Sequence, residues 1–562
     1  MTKTSGQSAM RYSALPAAAL CAVTVCGSAA ALILPAALGR TLDLLLAQQD
    51  RSATARWTLL CGCLLAAVAL CDALQTWLTG TTDARTTAWL RRRLIRRVLA
   101  AGPATAERFG VGDVVARCTG NAAAAGTAPA SVAALLAALA TPIGAVVALG
   151  LTDPWLMGVY LLGAPLLIAL LRAFTRAGTD CLARYQQAQA AIAGPLAEAV
   201  GGARTIAAAG TQARESARIL RALPELSRHG HRMWHIQGRA TAQASALVPL
   251  LQTVVVAVGG LRLAGGRLSV GDLLAASRYA VLAAGIGVIV SRLDALVRAR
   301  TAAARTDALL DLPSLAYGSR RLPAGPGRLE LRGVSVARGG GTVLRELDLV
   351  VPGGTSLAVV GRSGSGKSLL AAVAGRLADP DRGVVTLDGV PLDELDRAAL
   401  RAGIGYAFER PALFGETIAD AIGYAAPEAD LNRVTAAARA ACADGFVKLL
   451  PHGYRTPLTD APLSGGEAQR LGLARAFAHA GRLLILDDAT SSLDTVTERH
   501  VTGALMHHTG DRTRLVIAHR AATAARADTV AWLDGGRIRA LAPHRELWRL
   551  PEYRAAFAEE DG

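Results

Sequence analysis

Three glycines, a lysine and three serines fall within eight positions, Gly361-Arg362-Ser363-Gly364-Ser365-Gly366-Lys367-Ser368. Glycines at this G-x-x-x-x-G-K-[ST] spacing let backbone N–H groups converge on phosphate oxygens. The apolar run Thr355–Val360 precedes the loop and reads as a buried strand, and Leu369–Leu377 follows it as a helical stretch. A helix N-terminus adds positive potential at the same point. Lys367 is then expected to reach the β- and γ-phosphates of ATP, and Ser368 to hold Mg²⁺. All eight residues form the predicted ATP-binding loop.

A second apolar strand, Leu483–Leu486, ends in Asp487-Asp488. An acid at the end of such a strand can hold Mg²⁺ through water. The alternative for Asp487 is an N-cap on the next turn, and the upstream phosphate loop favours the metal. A third strand, Leu515–Ala518, ends at His519. A lone histidine is more often structural than catalytic, so His519 gains its weight from its place after the other two motifs.

These strands belong to the second half of a 562-residue chain, too long for one ordinary core. From residue 329 to 562, short β-branched strands alternate with helical stretches, the pattern of an α/β domain. Residues 310–328 (LDLPSLAYGSRRLPAGPGR) are rich in Pro, Gly and charge and read as a linker. Residues 1–309 differ in kind. They carry six apolar runs: Leu15–Leu38, Trp57–Leu78, Ser131–Leu151, Trp155–Leu171, Ala244–Leu263 and Leu273–Val290. Each is roughly the 17–25 residues that a helix needs to cross ~30 Å of hydrocarbon. The first run is too long for the apolar core of a signal peptide and is read as a retained span.

The net charge of +16 would suit nucleic-acid binding, but aromatics are only 4 % of residues and do not interleave with the arginines. The arginines gather instead in two long connectors, Thr79–Ala130 and Arg172–Gln243. A positive-inside bias then places both connectors, both termini and the cassette in the cytoplasm, on a multi-pass protein of the cell membrane, with no nucleic-acid partner. The eight cysteines are scattered and show no metal or disulfide spacing. Asp72 stands within the second run, where a charge is expected to face a cavity or a partner.

Between the phosphate loop and Asp487 lies Leu463-Ser464-Gly465-Gly466-Glu467-Ala468-Gln469-Arg470. With it, the chain resembles the ATP-binding cassette (ABC) transporter family, in particular its exporter-type half-transporters. Leu463, Ser464, Gly465, Gly466 and Glu467 match the family signature. Ser491, Ser492, Leu493 and Asp494 match its D-loop, and His519 its switch histidine. Gly266–Tyr279, Glu198–Glu215 and Arg108–Asn121 resemble segments of its membrane half, so the likeness covers nearly the whole chain. It implies a six-span α-helical membrane domain with an α/β P-loop cassette, ATP and Mg²⁺ as cofactors, and a second half-transporter as partner. Each ATP would lie between one chain's phosphate loop and the other's signature, and closure would reorient the helices in the bilayer.

The sequence departs from that pattern at chemical positions. Where the family has Glu after the Mg²⁺ aspartate to polarise water, this chain has Asp488, one methylene shorter. The family's Q-loop glutamine, which helps hold Mg²⁺, falls on Glu409. The aromatic that stacks on adenine falls on Arg338 or Ala337. The segment Pro457–Pro462 lacks the family's Gly-Glu-Arg-Gly. These changes favour a heterodimer in which this chain's own ATP site is degenerate while its signature serves a competent partner site. A fully active homodimer, a siderophore-type importer and a mainly regulatory ATP-binding subunit are the alternatives. The transported substrate is not legible.

Overall fold

The computed structural model describes residues 12–48, 51–425, 430–479, 481–491, 493, 495–508 and 512–558. The expected D-loop residues Ser492 and Asp494 lie outside them. Residues 1–99 and 109–312 form one compact unit; residues 313–562, with 100–108, form the other.

The first unit is built of helices and their connecting turns, with no strand among its described residues. Its main helices are α1 (Ala14–Ala47), α2 (Arg51–Ala101), α3 (Ala128–Thr152), α4 (Pro154–Gly201), α5 (Leu223–Ala264), α6 (Val270–Ala283) and α7 (Ile286–Leu310). Five of the six apolar runs fall within single helices, and the six do not give six uniform spans. Among the described residues, three helical stretches are long and apolar enough to cross a membrane: Ala14–Ala47, Arg51–Ala101 and Val111–Thr152. Val248–Ala264 is apolar but shorter. The run Leu273–Val290 breaks at Ala284–Gly285, between α6 and α7. With 51 residues, α2 is far longer than its apolar segment. Its Asp72 lies on an exposed face.

Small residues set the closest helix approach. A Cβ on Gly271 would sit 2.0 Å from the Gly39 carbonyl oxygen, so α1 and α6 meet backbone to backbone. Beside this contact, Asp43 accepts from Ser269 Oγ at 2.6 Å and from the Gly271 N–H at 2.7 Å. Ser269 itself caps α6 in a reciprocal box with Asp272. In the same unit, Asp153 caps α4 and pairs with Arg262 of α5 at 2.7 Å.

The second unit holds two sheets. Strands β1 (Leu329–Arg338), β2 (Gly341–Val351), β4 (Arg382–Leu387) and β5 (Val390–Pro391) form an antiparallel sheet in the order β2-β1-β4-β5. Strands β3 (Ser356–Val360), β6 (Ile404–Phe408), β7 (Leu483–Asp487), β8 (Thr513–Ile517), β9 (Thr529–Asp534) and β10 (Arg537–Ala542) form the other. Its order is β10-β9-β3-β8-β7-β6, parallel except at β10. β3 is wholly buried, which explains its unbroken apolar sequence. Register then aligns the strand ends. Val359 pairs with Ile517, Ile517 with Asp487, and Asp487 with Phe408. The residues that follow β3, β8, β7 and β6 therefore share one edge, the usual place for a ligand in a parallel sheet.

The segment read as a linker is docked along this unit. Gly318 N–H donates to the Leu395 carbonyl and Arg320 N–H to that of Glu394. The Tyr317 ring lies 4.9 Å from the Arg376 guanidinium and 5.8 Å from that of Arg397. Arg376 is 2 % exposed and donates to the Ala316 and Leu392 carbonyls and to Asp379.

Candidate functional site

β3 runs into the phosphate loop, which opens helix α8 (Lys367–Ala374). Gly364 and Gly366 have φ of +79° and +100°, a region that L side chains adopt only under strain. A Cβ at Gly361 would stand 2.2 Å from the Leu533 carbonyl oxygen. Lys367 is buried, and its ammonium donates to the Gly361 carbonyl and, at 3.3 Å, to that of Arg362. The lysine charge thus lies across the loop. Arg362, Ser363 and Gly364 are exposed, and the Ser365 hydroxyl is buried with no hydrogen-bond partner among the described residues.

The end of β7 faces this loop. Asp487 Oδ2 accepts from the Tyr406 hydroxyl at 3.2 Å, and the Ser368 hydroxyl lies close enough to the carboxylate to lower its pKa. Its Oδ1 is buried and has no hydrogen-bond partner among the described residues. Burial raises the Asp487 pKa against the lowering effect of the two hydroxyls. A carboxylate oxygen left free beside a hydroxyl is an oxygen-only donor set of the kind a hard divalent cation takes. Burial likewise raises the Asp488 pKa, with Glu409 and Asp487 adding repulsion and His519 opposing it. His519 Nε2 lies 3.9 Å from Asp488 Oδ2. Asp488 also has φ of +50°, uncommon for a residue with a side chain.

Lys367, Ser368, Asp487, Asp488, Glu409 and His519 thus gather at one sheet edge. Glu409 is half-exposed and lies 3.5 Å from Arg410. Arg338, at the end of β1, turns its guanidinium back to the Ala337 carbonyl at 3.0 Å, and Ala337 bonds Asp381 through its N–H.

The signature stands apart from the loop. Ser464 is the N-cap of α9 (Gly465–Ala478). It forms a capping box with Glu467, whose carboxylate accepts from the Ser464 N–H and hydroxyl at 2.8 Å. Ser464 and Gly465 are exposed, and no hydrogen bond joins Leu463–Glu467 to the phosphate loop among the described residues. Arg470 stacks over Phe446 at 4.8 Å and donates to the Cys442 carbonyl.

Three groups went unassigned from sequence. One is Tyr406, on Asp487. Another is Gln469, 1 % exposed, whose Nε2 lies 3.1 Å from the Glu409 carbonyl, 3.3 Å from that of Asp488 and 3.2 Å from Ser491 Oγ. The third is Glu498, on α10 (Thr495–His508), which accepts from Arg520 and from Thr523 at 2.8 Å. Arg520 directly follows His519, so Glu498 holds the turn that carries the histidine.

Residues 18–284 match the ABC transporter transmembrane region, and residues 344–491 match the ABC transporter cassette. The chain is 54 % identical to the ABC transporter ATP-binding protein RamA of Streptomyces coelicolor, over 95 % of this chain and 84 % of that protein. It is 36 % identical to a multidrug efflux ATP-binding/permease protein of Mycobacterium tuberculosis, over 68 % of this chain and 32 % of that one. In fold it resembles a bacterial Atm1-family ABC exporter with ATP bound, at a TM-score of 0.80 and 23 % identity over 98 % of this chain and 99 % of the other. The chain belongs to the ABC transporter family, as an exporter-type helical transmembrane domain fused to a nucleotide-binding cassette that couples ATP hydrolysis to transport.

Proposed function

We propose that this chain is one half of a heterodimeric exporter in which its own ATP site is the slow one. The observation that carries this reading is Asp488. Its carboxylate stops 3.9 Å short of His519, and a displacement of about 1 Å at a catalytic group can cost ~10²-fold in rate.

Lys367 and the loop N–H groups of residues 361–368 hold the β- and γ-phosphates. Ser368 and Asp487 are the residues that would hold Mg²⁺, which supplies neutralisation of phosphate charge; Glu409, whose charge acts on Asp487, is the further candidate ligand. Asp488 and His519 orient the attacking water. Arg338 is the residue that would lie against the base. Leu463–Glu467 serve the partner's nucleotide, since the N-terminus of α9 presents Ser464 and Gly465 outward. Ser491, Ser492, Leu493 and Asp494 form the D-loop.

The domain limits of this reading are 1–309 for the membrane half, 310–328 for the linker and 329–562 for the cassette. The six apolar runs, five of them within single helices, support six spans in the cell membrane. The arginine-rich connectors support cytoplasmic termini and a cytoplasmic cassette. The cargo is a small molecule, lipid or peptide.

The competing reading is a fully active homodimer, favoured by the complete set of Lys367, Ser368, Asp487 and His519. ATPase rates of the purified chain, alone and with a candidate partner half, separate the two. Vigorous turnover by the lone chain overturns the heterodimer. Failure to bind Mg·ATP with every partner overturns both.

A further inference from the structure

The two ends of the cassette's chemistry serve different nucleotides, and one buried side chain joins them. Gln469 lies on the signature helix α9, five residues after Ser464. Its Nε2 reaches the backbone carbonyls of Glu409 and Asp488 and the hydroxyl of Ser491, all within 3.1–3.3 Å. Ser491 in turn donates to the same Asp488 carbonyl at 3.1 Å. An amide nitrogen carries two protons, so these three acceptors share them closely. At 1 % exposure, no water competes for the bonds. A buried donor set of this kind fixes its acceptors, because leaving buried acceptors unpaired is costly.

The bonded carbonyls belong to two of the residues that differ from the family at this chain's own site. The Asp488 backbone is held at φ of +50°, a conformation that needs such support. A shift of either carbonyl when nucleotide enters the phosphate loop must therefore move Gln469, or break its bonds. Gln469 sits in the first turns of the helix whose capped end, Ser464, faces outward. A rigid helix passes that movement to its N-terminus.

We propose that Gln469 is a positioning residue that couples occupancy of this chain's own ATP site to the placement of its signature at the opposite ATP. The inference rests on the two-chain reading above. In it, the degenerate site has a task without rapid hydrolysis: its bound ATP sets the geometry of the partner's competent site.

The test is a double-mutant cycle in the assembled two-chain transporter, with each variant placed in this chain only. Lys367→Ala disables the own site, and Gln469→Met keeps side-chain volume while removing the donors. Each single variant is expected to slow ATP turnover by roughly tenfold while the ATP concentration at half-maximal rate stays within about threefold. The double variant is expected to be no slower than either single one. Multiplying effects, or an unchanged rate for Gln469→Met, would overturn the coupling. Gln469→Glu, which keeps the shape and lacks the amide donors, is the second variant if the methionine form fails to fold. Ser464→Arg provides the separate control. If it leaves turnover unaltered, the shared-site reading itself has failed; if it stops turnover, the cycle bears on Gln469 alone.

Discussion

His519 Nε2 stands 3.9 Å from Asp488 Oδ2, inside ion-pair range and beyond a hydrogen bond. The distance reflects side-chain length, because the Asp488 backbone is held by bonds to its carbonyl from Gln469 and Ser491. A longer acid from the same Cα would reach further toward the imidazole without moving the turn.

Asp488→Glu is therefore expected to raise ATP hydrolysis at this chain's own site by ~10-fold or more. Phosphate release by the purified protein measures it. An unchanged rate would remove side-chain length as the reason for a slow site.

Glu498→Gln should loosen the turn that follows β8. Glu498 is 8 % exposed and accepts from Arg520 and Thr523. The amide keeps the size but loses the charge that attracts Arg520. Amide exchange at Ala518–Thr523 is expected to quicken, with ATP affinity held within ~2-fold because the phosphate loop is untouched. Unaltered exchange in that peptide would show that the ion pair does not hold the histidine.

Ser464→Ala removes the cap of α9 and is expected to cost about 1 kcal/mol of stability. The Ser464 N–H and hydroxyl lower the Glu467 pKa below the ordinary carboxylate range. The sign follows from the ionised form being preferred in the folded protein. Its contribution is complete above the unfolded carboxylate pKa and is lost as pH falls through the lower folded value. Melting of wild type and Glu467→Gln should then differ at neutral pH and converge below about pH 4.

Gly271→Ala places a methyl group 2.0 Å from the Gly39 carbonyl oxygen, where only backbone can give way. Separation of α1 from α6 also threatens the bonds that Asp43 accepts from Ser269 and Gly271. The loss is expected to be about 1–3 kcal/mol, read as a lower melting temperature in detergent. Asp43→Asn, which keeps one carbonyl acceptor, should lose less.

The phosphate loop and the strands leading to Asp487 and His519 were legible because both signals are local: fixed glycine spacing, and apolar runs of strand length. Their convergence follows from register, which no single segment encodes. Gln469 and Glu498 were illegible as positioning groups, since a polar residue on a helix reads as surface until the fold closes over it. In the membrane half, composition marked the apolar runs but not the break at Ala284–Gly285, where no proline signals it. It also drew attention to Asp72, which is exposed, and passed over Asp43, whose partners lie more than 220 positions away.

The docking of Tyr317 against Arg376 has a practical side. A cassette expressed by itself from Leu329 would lack both the ring over that guanidinium and the Ala316 carbonyl it donates to. The deletion would uncover a guanidinium held at 2 % exposure in the whole chain and remove one of its acceptors, just past the C-terminal end of the phosphate-loop helix. Truncation at Pro313 keeps the strap, so soluble fragments of the ATPase are best begun there and not at the first strand.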